Sequence, residues 1–169
     1  MQTLIRLAGG QFSLAQNSFT HLADEDAMVA GDLILSLARF HAEGDALISQ
    51  GRSIGVRIAP EDEVEGLAYD LPRLALVAPV FPKFRDGRAY TTATLLRQRL
   101  CYGGEVRAVG EVLREQAGFM VRCGFDGFEP ADGSSAEQWA HAAQRQRHVY
   151  QRAADDRAPA FVERVTHGL

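Results

Sequence analysis

The chain has 169 residues, of which 46% are hydrophobic and 24% charged, and this balance excludes a disordered, collagen-like or disulfide-dense protein. A net charge of -4 and a pI near 5.7 leave no basic excess to attract phosphate backbones, so we expect no nucleic-acid partner. No stretch approaches the roughly 20 apolar residues of a transmembrane helix, and the first residues lack the pattern of a signal peptide. We therefore expect a cytoplasmic protein with no membrane partner.

The first predicted element is a short hairpin within residues 4–13, where two apolar–polar runs flank Gly9-Gly10. From about residue 33, short aliphatic or β-branched runs alternate with helix-like segments. The strand-like runs cover 32–40, 53–60, 74–81, 105–110 and 125–130. The helix-like segments cover 42–51, 60–71, 91–100, 111–124 and 134–153.

This alternation predicts an α/β fold: a single domain of about five βα units around a mostly parallel sheet, open or curled into half a barrel. Residues 1–32 are interpreted as a divergent N-terminal segment of that domain, 33–151 as its main body and 152–169 as a frayed tail. Sites in such folds lie at the carboxyl ends of strands. We therefore examine the residues that follow each predicted strand.

The segment from Phe81 to Tyr90 follows the most continuous apolar strand and carries a dense cluster of cations. Asp86 and Gly87 favour a tight turn there, with Asp86 bonded to backbone amides and Gly87 able to adopt a positive φ if the turn needs one. A threonine, Thr91 or Thr92, is expected to cap the next helix. Cations beside a helix N-terminus favour a small oxyanion such as sulfite, sulfate or phosphate, and the candidate residues are Lys83, Arg85 and Arg88. The alternative is a solvated loop whose charges pair with neighbouring acids.

Three charged residues near other strand ends are candidates to support this site. Glu111 and Arg114 follow the strand at 105–110, where Glu111 can face Lys83 or Arg88, and Glu129 follows the last strand. A carboxylate beside cations can orient them or act as a general base, but it can equally form a plain salt bridge or close a strand end.

Several kinds of site are not indicated by the sequence. Cys101 and Cys123 lack a CxxC spacing and are interpreted as reduced, buried or semi-buried thiols. The five histidines are scattered without the spacing of zinc ligands, and nucleotide-binding and nucleophile-elbow motifs are missing. We therefore expect neither a metal nor a cofactor.

Three blocks of the chain resemble the signatures of one proteobacterial family of unknown function: FPKFRDGRAYTTATLLRQR, GGEVRAVGEVLREQ and RCGFDGFE. Its members are commonly described as oxidoreductases of sulfite reduction, because their genes tend to lie beside that of the sulfite reductase haemoprotein. Weaker similarity extends over 33–151, and the family pattern also picks out Tyr90 and Arg107. The resemblance implies that the haemoprotein is the partner.

A catalytic sulfite reductase subunit needs four cysteine ligands around its cluster, and two cysteines in separate segments cannot supply them. The first hypothesis is therefore an accessory protein of assimilatory sulfite reduction that acts with the haemoprotein. The alternative is a small α/β enzyme acting on an anionic, sulfur- or phosphate-bearing metabolite, with Lys83, Arg88 and Glu111 converging at strand ends.

Overall fold

An eight-stranded sheet forms the centre of the molecule, in the order β2-β1-β8-β7-β6-β5-β4-β3. The structure, a computed structural model, describes residues 3–155 and 157–167. Its strands are β1 Leu4–Ala8, β2 Gln11–Ala15, β3 Phe19–His21, β4 Asp32–Ser36, β5 Ile54–Ile58, β6 Leu76–Phe81, β7 Glu105–Gly110 and β8 Gly127–Phe128. Its α-helices are α1 Leu37–Ser49, α2 Arg88–Thr94, α3 Ala117–Cys123, α4 Ala136–Ala143 and α5 Ala160–His167.

The predicted N-terminal hairpin is confirmed. β1 and β2 pair antiparallel around Gly9 and Gly10, whose φ values of 56° and 79° are those that a tight two-residue hairpin turn requires and that glycine adopts without strain. β1 also pairs antiparallel with β8. The hairpin thus covers one end of the sheet.

The six remaining strands, β3 to β8, run parallel and neighbour one another in chain order. The mostly parallel α/β sheet is therefore confirmed, with eight strands where about five were expected. β3 was missed because it has only three residues. β4 ends earlier than predicted because the Ser36 hydroxyl accepts a hydrogen bond from the Arg39 amide at 3.1 Å and caps α1.

The sheet has two differently packed faces. Alternate residues such as Leu33, Val56 and Val106 are fully buried in the main core shared with the helices. The residues between them form a second, smaller cluster on the inner face, composed of Ile34, Leu76, Ala78 and Val109 with Phe19 and Val80. Because His21 at the end of β3 reaches Glu129 just after β8, the parallel strands curl into a half-barrel.

Several helix predictions need correction. Residues 60–71 form no α-helix but two 3-10 turns, Val64–Leu67 and Leu71–Arg73, since Pro72 and Gly66 interrupt a regular helix there. The tail interpreted as frayed contains α5. The helix predicted over 134–153 ends at Ala143, and the one predicted over 111–124 begins at Ala117, after a 3-10 turn. Two predicted ends are confirmed: α3 ends at Gly124, whose φ is 99°, and Ser135 caps α4. None of the described helices has the length and apolar character to cross a membrane.

Candidate functional site

The loop after β6 is held in place by two side chains from the segment after β7. Oε2 of Glu111 accepts a hydrogen bond from the Phe84 amide at 2.9 Å, and Nε2 of Gln116 donates to the Phe84 carbonyl at 3.3 Å. Phe81 and Gly110 are paired at the ends of β6 and β7, so both segments leave the sheet together. Glu111 therefore fixes the loop backbone instead of facing Lys83 or Arg88, as the sequence had suggested.

The three predicted cations of the loop do not share one environment. Arg88 binds Asp86 through two nitrogens, Nε at 3.0 Å and Nη2 at 2.6 Å, and the hydrogen bond from Arg88 lowers the pKa of Asp86 to about 2. Lys83 and Arg85 are exposed, and within 3–155 and 157–167 neither side chain has an ion-pair or hydrogen-bond partner. Arg88 is thus neutralised locally, and anion binding by the loop stays a prediction.

The turn itself differs from the expected one. Gly87 has φ -90° and ψ 1°, so no positive φ is needed, and it occupies the cap position of α2. Asp86 does accept a hydrogen bond from a backbone amide, that of Arg88, at 3.2 Å. Thr91 and Thr92 lie within α2, where the Thr92 hydroxyl donates to the Arg88 carbonyl at 3.4 Å. Neither threonine caps the helix.

Two supporting candidates lie apart from the loop cations. The Tyr90 ring packs edge-on against Phe81 and Phe119, with centroids at 5.0 and 4.6 Å, and burial raises the pKa of its hydroxyl. Arg114 is half-exposed and faces Glu115 at 3.5 Å and Asp132 at 4.0 Å. Tyr90 therefore belongs to the aromatic packing, and Arg114 to a surface ion-pair group.

Arg107 and Glu129, in contrast, belong to a buried polar network on the inner face of the half-barrel. Both side chains are 1% exposed, and Nη1 of Arg107 lies 3.1 Å from Oε1 of Glu129. Nε of Arg107 donates to Oε1 of Glu105 at 2.6 Å, and Glu105 also pairs with Arg6 at the rim. The guanidinium carbon of Arg107 lies 5.5 Å from the centre of the Phe19 ring. A buried charge of this kind is stable only because it is paired and hydrogen-bonded.

The other end of this network comes from the N-terminal segment. Nε2 of His21 lies 2.9 Å from Oε2 of Glu129, and Oδ1 of Asn17 accepts from Arg107 at 3.0 Å. Burial alone would raise the pKa of Glu129, but the hydrogen bond from His21 and the charges of His21 and Arg107 outweigh it, so the pKa is lowered. Glu129 is therefore a carboxylate near neutral pH, and it orients the imidazole as acid–base sites do.

Arg57 is a further inner-face residue that the sequence reasoning missed. It is half-buried on β5, and no described residue forms an ion pair or hydrogen bond with its side chain. A signal was present: arginine interrupts the apolar pattern of IGVRI as it does in EVRAV. An arginine that alternates with apolar residues in two predicted strands on either side of β6 marks one polar face. His21 and Asn17 gave no such signal because β3 was not predicted.

A cleft of about 850 Å³ opens elsewhere, beside the β1–β2 hairpin. Its apolar lining includes Leu7, Phe12, Val121 and Phe125. Arg97 also lines it but is fully engaged in structural bonds: it donates to the carbonyls of Tyr102, Gly104 and Gly124 and pairs with Asp126 at 2.7 Å. This arginine fastens loops together and is not available to a ligand.

Comparison with known proteins gives a family but no activity. No curated protein matches the chain. Residues 55–161, which include the loop after β6, Arg57, Arg107 and Glu129, match the model of a family described as bacterial protein of unknown function. Since that match spans more than half of the chain, the protein belongs to the bacterial family of unknown function DUF934.

Proposed function

We propose that this chain is an accessory protein of assimilatory sulfite reduction that docks on the sulfite reductase haemoprotein through the loop Lys83-Phe84-Arg85. The partner is suggested by the resemblance of the three signature blocks. The observation that carries the docking surface is that Lys83 and Arg85 are exposed without partners in the described chain, on a loop whose backbone is fixed from below by Glu111 and Gln116.

The composition of this surface supports contact with a protein. The Phe84 side chain is 45% exposed and that of Phe119 57%, and Phe119 lies one helical turn beyond Gln116, which binds the Phe84 carbonyl. Aromatic and arginine side chains are enriched at the energetic centres of interfaces, where they bury much area at little entropic cost. A backbone held by Glu111 and Gln116 also reduces the ordering cost of association.

Affinity capture from a sulfate-grown lysate tests the proposal. The tagged wild-type chain should recover the haemoprotein, and the double variant Lys83→Glu/Arg85→Glu should not, because reversing rim charges disfavours association. Arg145→Glu/Arg147→Glu is the matched control, since both arginines are exposed and their side chains have no partner among the described residues. Failure of the wild-type chain to recover the haemoprotein, or equal loss with both double variants, would refute docking through this loop.

A deletion strain tests the pathway separately. Growth on sulfide and cysteine with failure on sulfate and sulfite would support a role at sulfite reduction. Growth on all four sulfur sources would remove the pathway from the proposal.

The second candidate, a small enzyme acting on an anionic metabolite, is favoured by one observation: the His21–Glu129 pair lies at the carboxyl ends of parallel strands. A carboxylate-oriented imidazole is a common general base. Purified protein incubated with aryl sulfate and aryl phosphate esters would release inorganic anion if it were such an enzyme. If the His21→Ala variant released the inorganic anion as fast as the wild type, the His21–Glu129 pair could not be the general base of that enzyme.

A further inference from the structure

We propose that Arg57 and His21 form a binding site for a small oxyanion at the mouth of the half-barrel, above the buried Arg107–Glu129 pair. This site is separate from the docking loop and does not depend on the docking function proposed above.

The alternation along β5 places Arg57 on the inner face. Ile54, Val56 and Ile58 are buried in the main core shared with the helices. Because successive side chains of a strand point to opposite faces, Gly55 and Arg57 face inward. A Cβ added at Gly55 would meet the side chains of Leu76 and Ile34, which both belong to the inner cluster. Arg57 is one step further toward the carboxyl end of the same strand.

No described residue forms an ion pair or hydrogen bond with the side chain of Arg57. The other described lysines and arginines that have no partner, Lys83, Arg85, Arg145, Arg147, Arg152 and Arg164, are all exposed and therefore hydrated. Arg57 is half-buried, so part of its hydration is lost without any bond in return. Burying a cation in this way is unfavourable unless an anion pairs with it. The unpaired guanidinium therefore indicates a ligand position.

The register of the strands brings Arg57 to the level of His21. The contact of Arg107 with the Phe19 ring and that of Glu129 with His21 show that inner residues meet across a staggered sheet. Strands of a barrel tilt, so that the level shifts by about one residue per strand. His21 pairs with Ile34, and Ile34 with Gly55. β5 lies two strands from β3 in the sheet. A shift of one residue per strand therefore places the residue two positions after Gly55, which is Arg57, at the same height in the half-barrel as His21.

The chemistry of this level fits a small oxyanion. Arg6 and Arg107 are matched on the inner face by Glu105 and Glu129, whereas Arg57 has no ion-pair partner among the described residues. His21 uses Nε2 for Glu129, and Nδ1 has no partner among the described residues. That nitrogen can accept from a hydroxyl of the anion or, when protonated, donate to it. A planar guanidinium donates to two oxygens of an oxyanion at once.

The ligand must be small because most neighbouring inner-face positions are apolar, and the polar one, Ser36 beside Arg57 in the register of β4 and β5, already donates its hydroxyl to Asp24. Ala78 lies beside Arg57 in the register of β5 and β6, and Val80 and Val109 are paired on the next two strands. These side chains offer no further polar contact to a larger substrate. Sulfate, sulfite and phosphate share the required geometry, and acetate serves to test whether a planar carboxylate is also taken.

Isothermal titration of the full chain with sulfate, sulfite, phosphate and acetate, at constant ionic strength with chloride, tests the site. Wild-type protein should bind at least one of the tetrahedral or pyramidal oxyanions saturably. Arg57→Gln, which keeps a polar side chain and removes its charge, should weaken that binding by about 10-fold or more, the loss expected for a charge-assisted bidentate hydrogen bond. His21→Gln should weaken it less, because only one contact is lost.

Two control variants make the result decisive. Arg85→Gln removes an exposed cation of the docking loop, and Arg147→Gln removes one near the cleft; both should bind the anion as wild type does. The proposal is overturned if no anion binds saturably, if Arg57→Gln binds as tightly as wild type, or if Arg85→Gln loses binding instead. Should Arg57→Gln unfold, Arg57→Lys replaces it: retained binding with a reduced affinity supports the site, and unchanged affinity overturns it.

Discussion

Nε2 of His21 lies 2.9 Å from Oε2 of Glu129, although His21 ends β3, Glu129 follows β8, and these two strands have four others between them in the sheet. The contact connects the two outermost parallel strands, β3 and β8, across the inner face of the half-barrel. It connects the N-terminal segment to the part of the chain that matches the family. Glu129 therefore takes part both in the contacts that close the half-barrel and in the polar network of its interior.

Replacing Glu129 with glutamine should destabilise the protein by about 2–4 kcal/mol, because Arg107 would keep its charge in a buried site with only Glu105 to balance it. Urea denaturation measures the free energy of unfolding directly. Glu25→Gln, on an exposed residue, is the control and should stay within about 0.5 kcal/mol. Equal stability of the two variants would mean that the buried pair contributes nothing to folding.

The pH dependence of stability should report the same carboxylate. The pKa of Glu129 in the folded protein lies below its ordinary value of 4.5. Well above pH 4.5 the carboxylate is ionised in both the folded and the unfolded protein, so its full contribution to the free energy of unfolding is present. As the pH falls below 4.5 the unfolded state binds a proton first, and the stabilisation is lost down to the folded pKa. Between pH 6 and 3 the wild type should therefore lose more stability than Glu129→Gln. Parallel curves for the two proteins would contradict this assignment.

The polarity of the inner face explains why the site was only partly predictable. Apolar runs such as LALVAPV and EVRAVG fixed the positions of β6 and β7 well, since buried parallel strands read as continuous hydrophobic segments. Because these runs read as buried strands, the loops that follow them were chosen as the candidate site, and the single charged residues within the strands were not. Arg107 and Glu129 entered as supporting candidates, but their partners His21 and Asn17 lie more than a hundred and about ninety residues away in sequence. Contacts at that separation depend on the curl of the sheet, which no local pattern encodes.

The cation-rich loop illustrates the opposite error. Lys83, Arg85 and Arg88 are close in sequence and suggested one anion site, yet Arg88 folds back onto Asp86 two residues away and the other two cations point to solvent. Local charge pairing is available to any such loop and competes with ligand binding. The residues 60–71 show a related effect: their acidic, helix-like composition is interrupted by Gly66 and Pro72, and 3-10 turns result.

Two glycine substitutions should separate strained from unstrained turns. Gly110 has φ 97°, and a Cβ there would overlap the carbonyl of Phe81, so Gly110→Ala should cost roughly 2–4 kcal/mol and displace the loop after β6. Gly87 has an ordinary negative φ and would bring a Cβ only within 3.6 Å of Tyr90. Gly87→Ala should therefore stay within about 0.5 kcal/mol. Thermal unfolding of both variants checks this, and a larger loss at Gly87 would show that the turn is more constrained than its dihedral angles indicate.

The two thiols should react at different rates, which tests the local packing around α3. Cys101 is exposed, contrary to the expectation of two buried or semi-buried thiols, and Cys123 is half-buried. Burial raises the pKa of the Cys123 thiol, more than the hydrogen bond from Thr94 and the charge of Arg122 lower it. Because the thiolate is the reacting form, Cys123 should react with a disulfide reagent at pH 8 at least about 10-fold more slowly than Cys101. Cys101→Ser should abolish the fast phase and leave the slow one, whereas loss of the fast phase in Cys123→Ser would reverse the assignment.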